Sequence, residues 1–160
     1  HIASFTTPFK NRATGQRLDA IAKAPLWKAG KDFFHGTGHG VGYLLTVHEG
    51  PQRISQGSDV EFKENMFTSV EPGLYIANSH GIRIENQSLC KEAFTNEFGK
   101  FLEFESLTYV PIDTRPIKTD MLTHEELDWI NDYNRKCEEV LSPYLEGADL
   151  DYLKESCKAI

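Results

Sequence analysis

Glycine occupies every second position from residue 36 to residue 42, in the run Phe34-His35-Gly36-Thr37-Gly38-His39-Gly40-Val41-Gly42. A segment so poor in Cβ atoms forfeits helix stability and side-chain packing, so no regular structure is expected before the short apolar run Tyr43-Leu44-Leu45-Thr46-Val47. What it gains is close approach. With glycine on both sides, the His39 imidazole and its own backbone can be brought against an ion or a substrate. The run fits no nucleotide-binding pattern. It contains no G-x-x-x-x-G-K-[ST], and Val41 follows Gly36-x-Gly38 where a dinucleotide fingerprint needs its third glycine. Nor does His48-Glu49 open an H-E-x-x-H, because Gln52 stands where the second histidine belongs.

Two carboxylates follow in apolar surroundings. Glu71 ends the uncharged run Met66-Phe67-Thr68-Ser69-Val70, and Pro72 after it favours an extended backbone at Glu71. Glu85 ends Ile82-Arg83-Ile84-Glu85, where period-two alternation sends the isoleucines to one face and Arg83 with Glu85 to the other. If residues 66–70 and 82–89 are strands paired across the turn Asn78-Ser79-His80-Gly81, Glu71 and Glu85 converge on one surface. Two such carboxylates repel unless a cation lies between them. Carboxylate and imidazole donors suit manganese, cobalt or zinc, and thiolates take no part. His80 reads as a turn residue and His124 as a residue of a first helical turn.

Elsewhere, residues 16–28 read as a helix with Leu18, Ile21, Ala22 and Leu26 on one face, interrupted in its second half by Pro25. Residues 101–112 read as a strand rich in aromatic and β-branched residues. Thr123-His124-Glu125-Glu126 is a capping-box pattern opening a helix with Leu127, Ile130, Cys137, Val140 and Leu141 on a broad stripe beside Trp129 and Tyr133. That stripe reads as core packing, with a dimer contact as its second use. Residues 150–157 read as a last short helix.

The 160 residues suffice for one globular core. A net charge of −7 argues against nucleic acid or anionic lipid as partner, and no apolar run nears the roughly 20 residues of a membrane span. Three scattered cysteines, Cys90, Cys137 and Cys157, without a C-x-x-C pair, fit a reducing, cytoplasmic setting and read as ordinary buried residues. His1-Ile2-Ala3-Ser4 has neither an initiator Met nor a signal-peptide pattern, so the N-terminus reads as a cut.

In combination, residues 35–42 (HGTGHGVG), Val47-His48-Glu49-Gly50-Pro51, Glu71-Pro72-Gly73-Leu74-Tyr75 and Gly81-Ile82-Arg83-Ile84-Glu85-Asn86 resemble the pita-bread metallopeptidases. Within them the sequence is similar to the X-prolyl aminopeptidase (aminopeptidase P) branch. Methionine aminopeptidases and prolidases share the GHG, EP and IE landmarks, whereas the residues from Val47 to Pro51 favour this branch. The tail from Phe104 to Tyr133 resembles the C-terminal extension of its larger cytosolic type. The resemblance implies an α/β (α+β) fold of partial pita-bread type: a curved, mainly antiparallel sheet flanked by helices over residues 1–112, with a helical C-terminal extension over residues 113–160.

It also implies a chemistry. His39, Glu71 and Glu85 fall on ligand positions of a dinuclear centre, manganese in this branch with zinc or cobalt as alternatives, and Glu85 falls on the bridging position. A hydroxide shared by the two ions would attack the scissile carbonyl. Glu71 would shuttle a proton to the leaving nitrogen, His35 and His48 would line the substrate site, and Arg83 and Tyr75 would orient the carboxylates. The implied reaction releases the N-terminal residue from peptides with proline second, and the implied assembly is a homodimer. A prolidase-type dipeptidase and a non-catalytic binding module of the same fold are the alternatives. Two further aspartate ligands of the family have no counterpart in strand-like sequence here, since Asp19 lies in the helical stretch and Asp32 follows a turn. They are expected upstream of His1, and these residues alone are expected to hold metal weakly and not to turn over.

Overall fold

A computed structural model describes residues 1–44 and 46–160, and Leu45 of the expected apolar run lies outside the described residues. Regular structure begins with α1 (Ile2–Thr6), β1 (Phe9–Lys10) and α2 (Gly15–Lys28). The helix expected over residues 16–28 is present as α2. Leu18 and Ala22 are buried and Ile21 packs against the core, while Pro25 falls in the last turns, where one lost backbone donor does not stop the helix.

The glycine run is not wholly irregular. Gly38–His39 forms β2, paired antiparallel with β3 (Arg53–Ile54), so that Gly38 lies opposite Ile54 and His39 opposite Arg53. The reason is contact rather than propensity: a Cβ on Gly38 would overlap the Ser69 carbonyl oxygen, and one on Gly40 would overlap the Glu49 carbonyl oxygen.

β4 (Phe67–Val70), β7 (Asn86–Asn96) and β8 (Gly99–Ser106) carry the main sheet, completed by β1 in the order β1-β8-β7-β4, every pairing antiparallel. β5 (Gly73–Ile76) and β6 (His80–Arg83) form a separate two-stranded ribbon. Residues 82–89 are therefore not one strand. The chain leaves the ribbon at Arg83 and enters the sheet at Asn86, with Ile84 and Glu85 at the crossing. The ribbon uses the turn near Asn78, which takes φ +57, while β4 finds its partner in β7, with Val70 opposite Asn86. The strand expected over residues 101–112 ends at Ser106. Beyond it, Tyr109 and Ile112 pack with the helices that follow.

The chain packs as two compact units, His1–Thr108 and Tyr109–Ile160. The core of the first holds Leu18, Ile54, Phe62, Val70, Cys90 and Leu102 with Phe9 and Phe104. Phe62 meets Phe9 and Phe104 edge-on, with centroids 6.4 and 5.6 Å apart, an arrangement that aligns ring edges with ring faces. In the second unit, α3 (His124–Leu141) opens with the full reciprocal capping box of Thr123 and Glu126, and α4 (Gly147–Ser156) packs Leu153 against Tyr133, Cys137 and Cys157. Trp129 stacks on Tyr133 with centroids 5.3 Å apart, and Leu141 joins the same cluster. The stripe of α3 is thus core packing within its own unit. Among the described residues no helix is long and apolar enough to cross a membrane.

Phe62 is fully buried, so Phe62→Ala is expected to lower stability by about 3–5 kcal/mol in urea denaturation. A loss below about 1 kcal/mol would show that the three rings do not form the core of this unit.

Candidate metal centre

Four local features bring side chains together. β2 presents His39, the end of β4 presents Glu71, the loop before β2 presents His35, and the β5–β6 ribbon presents Tyr75 and Arg83. His39 Nδ1 lies 2.9 Å from the Gly40 carbonyl oxygen. A carbonyl can only accept, so Nδ1 carries the hydrogen and Nε2 is turned outward. Nε2 stands 3.0 Å from Glu71 Oε1. This is the orientation in which an imidazole ligates a metal, its second nitrogen held by a protein oxygen.

Glu71 is buried and well supplied with partners. Ser69 Oγ donates to Oε1 at 3.0 Å and accepts the His39 backbone N–H at 3.0 Å, so one hydroxyl ties both groups. Arg83 Nη1 donates to Oε2 at 3.2 Å, and the Glu71 backbone N–H donates to the Thr37 carbonyl at 2.7 Å.

The remaining contacts form a consistent donor-to-acceptor chain. Arg83 Nε donates to the Tyr75 hydroxyl at 2.8 Å, and that hydroxyl donates to His35 Nε2 at 2.9 Å. His35 Nδ1 in turn donates to the Gly36 carbonyl at 2.7 Å, which leaves Nε2 as the acceptor. The Tyr75 hydroxyl, and then the charges of Glu71 and Glu85, hold the Arg83 guanidinium above its ordinary value, so it stays cationic beside the carboxylate.

A cavity of about 420 Å³ is lined by His35, His39, His48, Arg53, Glu71 and Arg83. The ring centroid of His48 is 4.1 Å from that of His39. A second cavity of about 400 Å³ also touches His39, His48 and Arg53 and continues past Glu49 and Asp59.

Five of the seven expected site residues therefore face one cavity, and Tyr75 is tied to two of them. Glu85 is exposed at the β6–β7 crossing. The register that sets Val70 opposite Asn86 has Glu71 and Glu85 as its next residues, and both charges act on Arg83. Among the described residues, however, no group of three or more His, Cys, Asp or Glu side chains is gathered as a metal would require. The donors that do meet, an imidazole nitrogen and a carboxylate oxygen, are of the kind a divalent first-row cation takes.

Asp19 and Asp32 are not at this centre. Asp19 is buried against Lys23 at 3.3 Å, and Asp32 Oδ1 accepts the Phe33 backbone N–H. His80 and His124 are exposed. Gln52 is buried and donates to the Phe67 carbonyl, fastening the loop of His48 to β4. Burial pushes the Cys90 thiol up to about 12 and the Cys157 thiol up to about 11, so neither is a nucleophile near neutral pH. Sequence reading missed Ser69 and Thr37. The first was accessible to it, because period-two alternation in residues 67–71 puts Ser69 on the face of Glu71. Nothing local marks the second.

Comparison with known proteins is consistent across the chain. Residues 5–92 match the metallopeptidase family M24, and residues 100–160 match the C-terminal region of peptidase M24. Aminopeptidase P1 of Arabidopsis thaliana is 39% identical over 100% of this chain and 26% of its own length, and Aminopeptidase P2 of the same plant is 44% identical over 92% and 22%. The X-prolyl aminopeptidase of Caenorhabditis elegans, described as a cytosolic enzyme with a di-nuclear active site, superposes with a TM-score of 0.91 at 39% identity, covering 100% of this chain and 27% of that one. The chain thus spans about a quarter of the length of these relatives. It has the α/β pita-bread architecture of that structure, an antiparallel sheet with helices.

Ser69 has no exposed surface. Ser69→Ala is expected to cost about 1–3 kcal/mol by stranding two buried polar partners, with Ser69→Thr restoring most of it. An unchanged denaturation midpoint for Ser69→Ala would contradict the bridging role.

Proposed function

The chain belongs to metallopeptidase family M24, and from that premise we propose that it supplies part of the active centre of an X-prolyl aminopeptidase. The reaction releases the N-terminal residue from peptides whose second residue is proline. The observation that carries this reading is the 3.0 Å approach of His39 Nε2 to Glu71 Oε1 at the wall of a cavity shared with His35, His48 and Arg83. His39, Glu71 and Glu85 would hold the divalent cations, manganese first with zinc or cobalt as alternatives. When bound, a pair of such cations supplies Lewis acidity and lowers the pKa of water.

The protein's own groups account for the rest. Glu71 takes a proton from the attacking water and delivers it to the leaving nitrogen. Arg83 orients the Glu71 carboxylate through Oε2. Tyr75 spends its hydrogen on His35 and its lone pair on Arg83, which fixes the His35 ring at the cavity wall. His35 and His48 face the peptide and stabilise charge developing on its carbonyl oxygen. A cytosolic setting is supported by three buried free cysteines and by the description of the nematode relative. A homodimer through the second unit is supported by its exposed Met121, Tyr144 and Tyr152.

With manganese, the full-length polypeptide is expected to release X from an X-Pro-Y tripeptide, and Glu71→Gln is expected to lower kcat by about 10²–10⁴. Cleavage of X-Pro dipeptides alone would favour a prolidase, and no cleavage of either would favour a binding module. Full activity in Glu71→Gln would remove Glu71 from the mechanism. Residues 1–160 by themselves, in which two donors meet rather than three, are expected to lose manganese on dialysis. Stoichiometric metal by elemental analysis would overturn that expectation.

A further inference from the structure

Behind the cavity lies a buried ion pair that the proposed mechanism does not use. Asp19 and Lys23 occupy successive turns of α2, with Asp19 Oδ2 3.3 Å from Lys23 Nζ and both side chains almost fully buried. Charges so placed are costly unless every polar atom is matched, and here the matching is specific. Asp19 Oδ1 accepts the Thr37 hydroxyl at 2.7 Å. Lys23 Nζ is also 3.9 Å from Asp32 Oδ1 and lies 4.8 Å from the centroid of the Phe33 ring.

Two of these partners, Thr37 and Phe33, lead to the centre. Thr37 has no exposed surface, and its carbonyl accepts the Glu71 backbone N–H at 2.7 Å. That N–H lies one residue beyond the end of β4, so the β4–β7 ladder does not fix it. Phe33 is buried against His35, with ring centroids 4.7 Å apart. One ion pair on a helix thus reaches Glu71 by hydrogen bonds and His35 by ring contact.

We propose that Thr37, anchored by the Asp19–Lys23 pair, is a positioning residue that sets Glu71 for metal binding and proton transfer. The inference rests on the reading of Glu71 given above. Thr37 touches no reacting atom. It acts by holding the loop of residues 36–40 between α2 and β4, so that the Glu71 main chain has a fixed point of its own besides the carboxylate's partners Ser69 and Arg83. Without the hydroxyl, Asp19 Oδ1 loses its partner inside the protein and the loop loses its tether.

The test is made in the full-length polypeptide with manganese binding by calorimetry, X-Pro-Y kinetics and hydrogen exchange at the Glu71 amide. Thr37→Val is expected to weaken manganese binding by about 10–100-fold, to lower kcat with KM nearly constant, and to reduce protection of the Glu71 amide. Thr37→Ser is expected to restore all three. Should Thr37→Val fail to fold, the double variant Asp19→Leu/Lys23→Leu serves instead, because an apolar pair commonly replaces a buried ionic one without loss of stability. It is expected to reproduce the loss of metal affinity. Affinity and kcat within twofold of the unaltered protein in either folded variant would overturn the proposal. If the unaltered protein binds no manganese, the functional reading falls, and positioning is then decided by the Glu71 amide: equal protection in both proteins overturns it, and lost protection in the variant supports it.

Discussion

The loop through Gly38 and Gly40 runs closer to its neighbours than a chain bearing Cβ atoms can. At Gly38 the obstacle is the Ser69 carbonyl, and at Gly40 it is the Glu49 carbonyl. Everything at the centre follows from that contact. Because the backbone passes so near β4, the His39 N–H reaches Ser69 Oγ, the ring reaches Glu71, and the Thr37 carbonyl takes the Glu71 N–H. A methyl group at Gly38 would push the strand that carries the imidazole off the strand that leads to the carboxylate, and one at Gly40 would push it off the loop at Glu49. The alternation of glycines is therefore a packing requirement, and the chemistry of the site is its consequence.

Apart from His39 Nε2 and Glu71 Oε1, two acceptors that face each other, the polar groups around that contact match in direction as well as distance. Arg83 donates to both Tyr75 and Glu71, Tyr75 donates to His35, and the two histidines each spend Nδ1 on a neighbouring carbonyl. Such a chain leaves few rotamers free, and it holds the rings and carboxylate in one arrangement before a ligand arrives. Preorganisation of this kind lowers the cost of binding and of reaction alike.

The sequence made the local parts of this legible and left the long-range parts hidden. Helix α2 and the capping box at Thr123 were readable because each rests on short spacing, and His35, His39, His48, Glu71, Tyr75 and Arg83, which the fold brings together, were readable from motifs and the family resemblance those motifs carry. The pairing was not. Nothing within residues 82–89 announces that Arg83 closes a ribbon while Asn86 opens a sheet strand, since that depends on β4 finding β7 rather than β6. Tyr109 and Ile112 have good strand propensity, yet they leave the sheet to cover the helices of the second unit. The buried Asp19–Lys23 pair looks from sequence like any exposed acid and base four apart on a helix. Only the fold shows that Thr37 turns it towards Glu71.

The central claim is that His39 and Glu71 share a cation. Anomalous scattering at the manganese edge, from crystals of the full-length polypeptide grown with manganese, tests it most directly. The account expects a peak bonded to both His39 Nε2 and a Glu71 carboxylate oxygen. A manganese peak bonded to neither, in crystals where the two side chains still face each other, would contradict it.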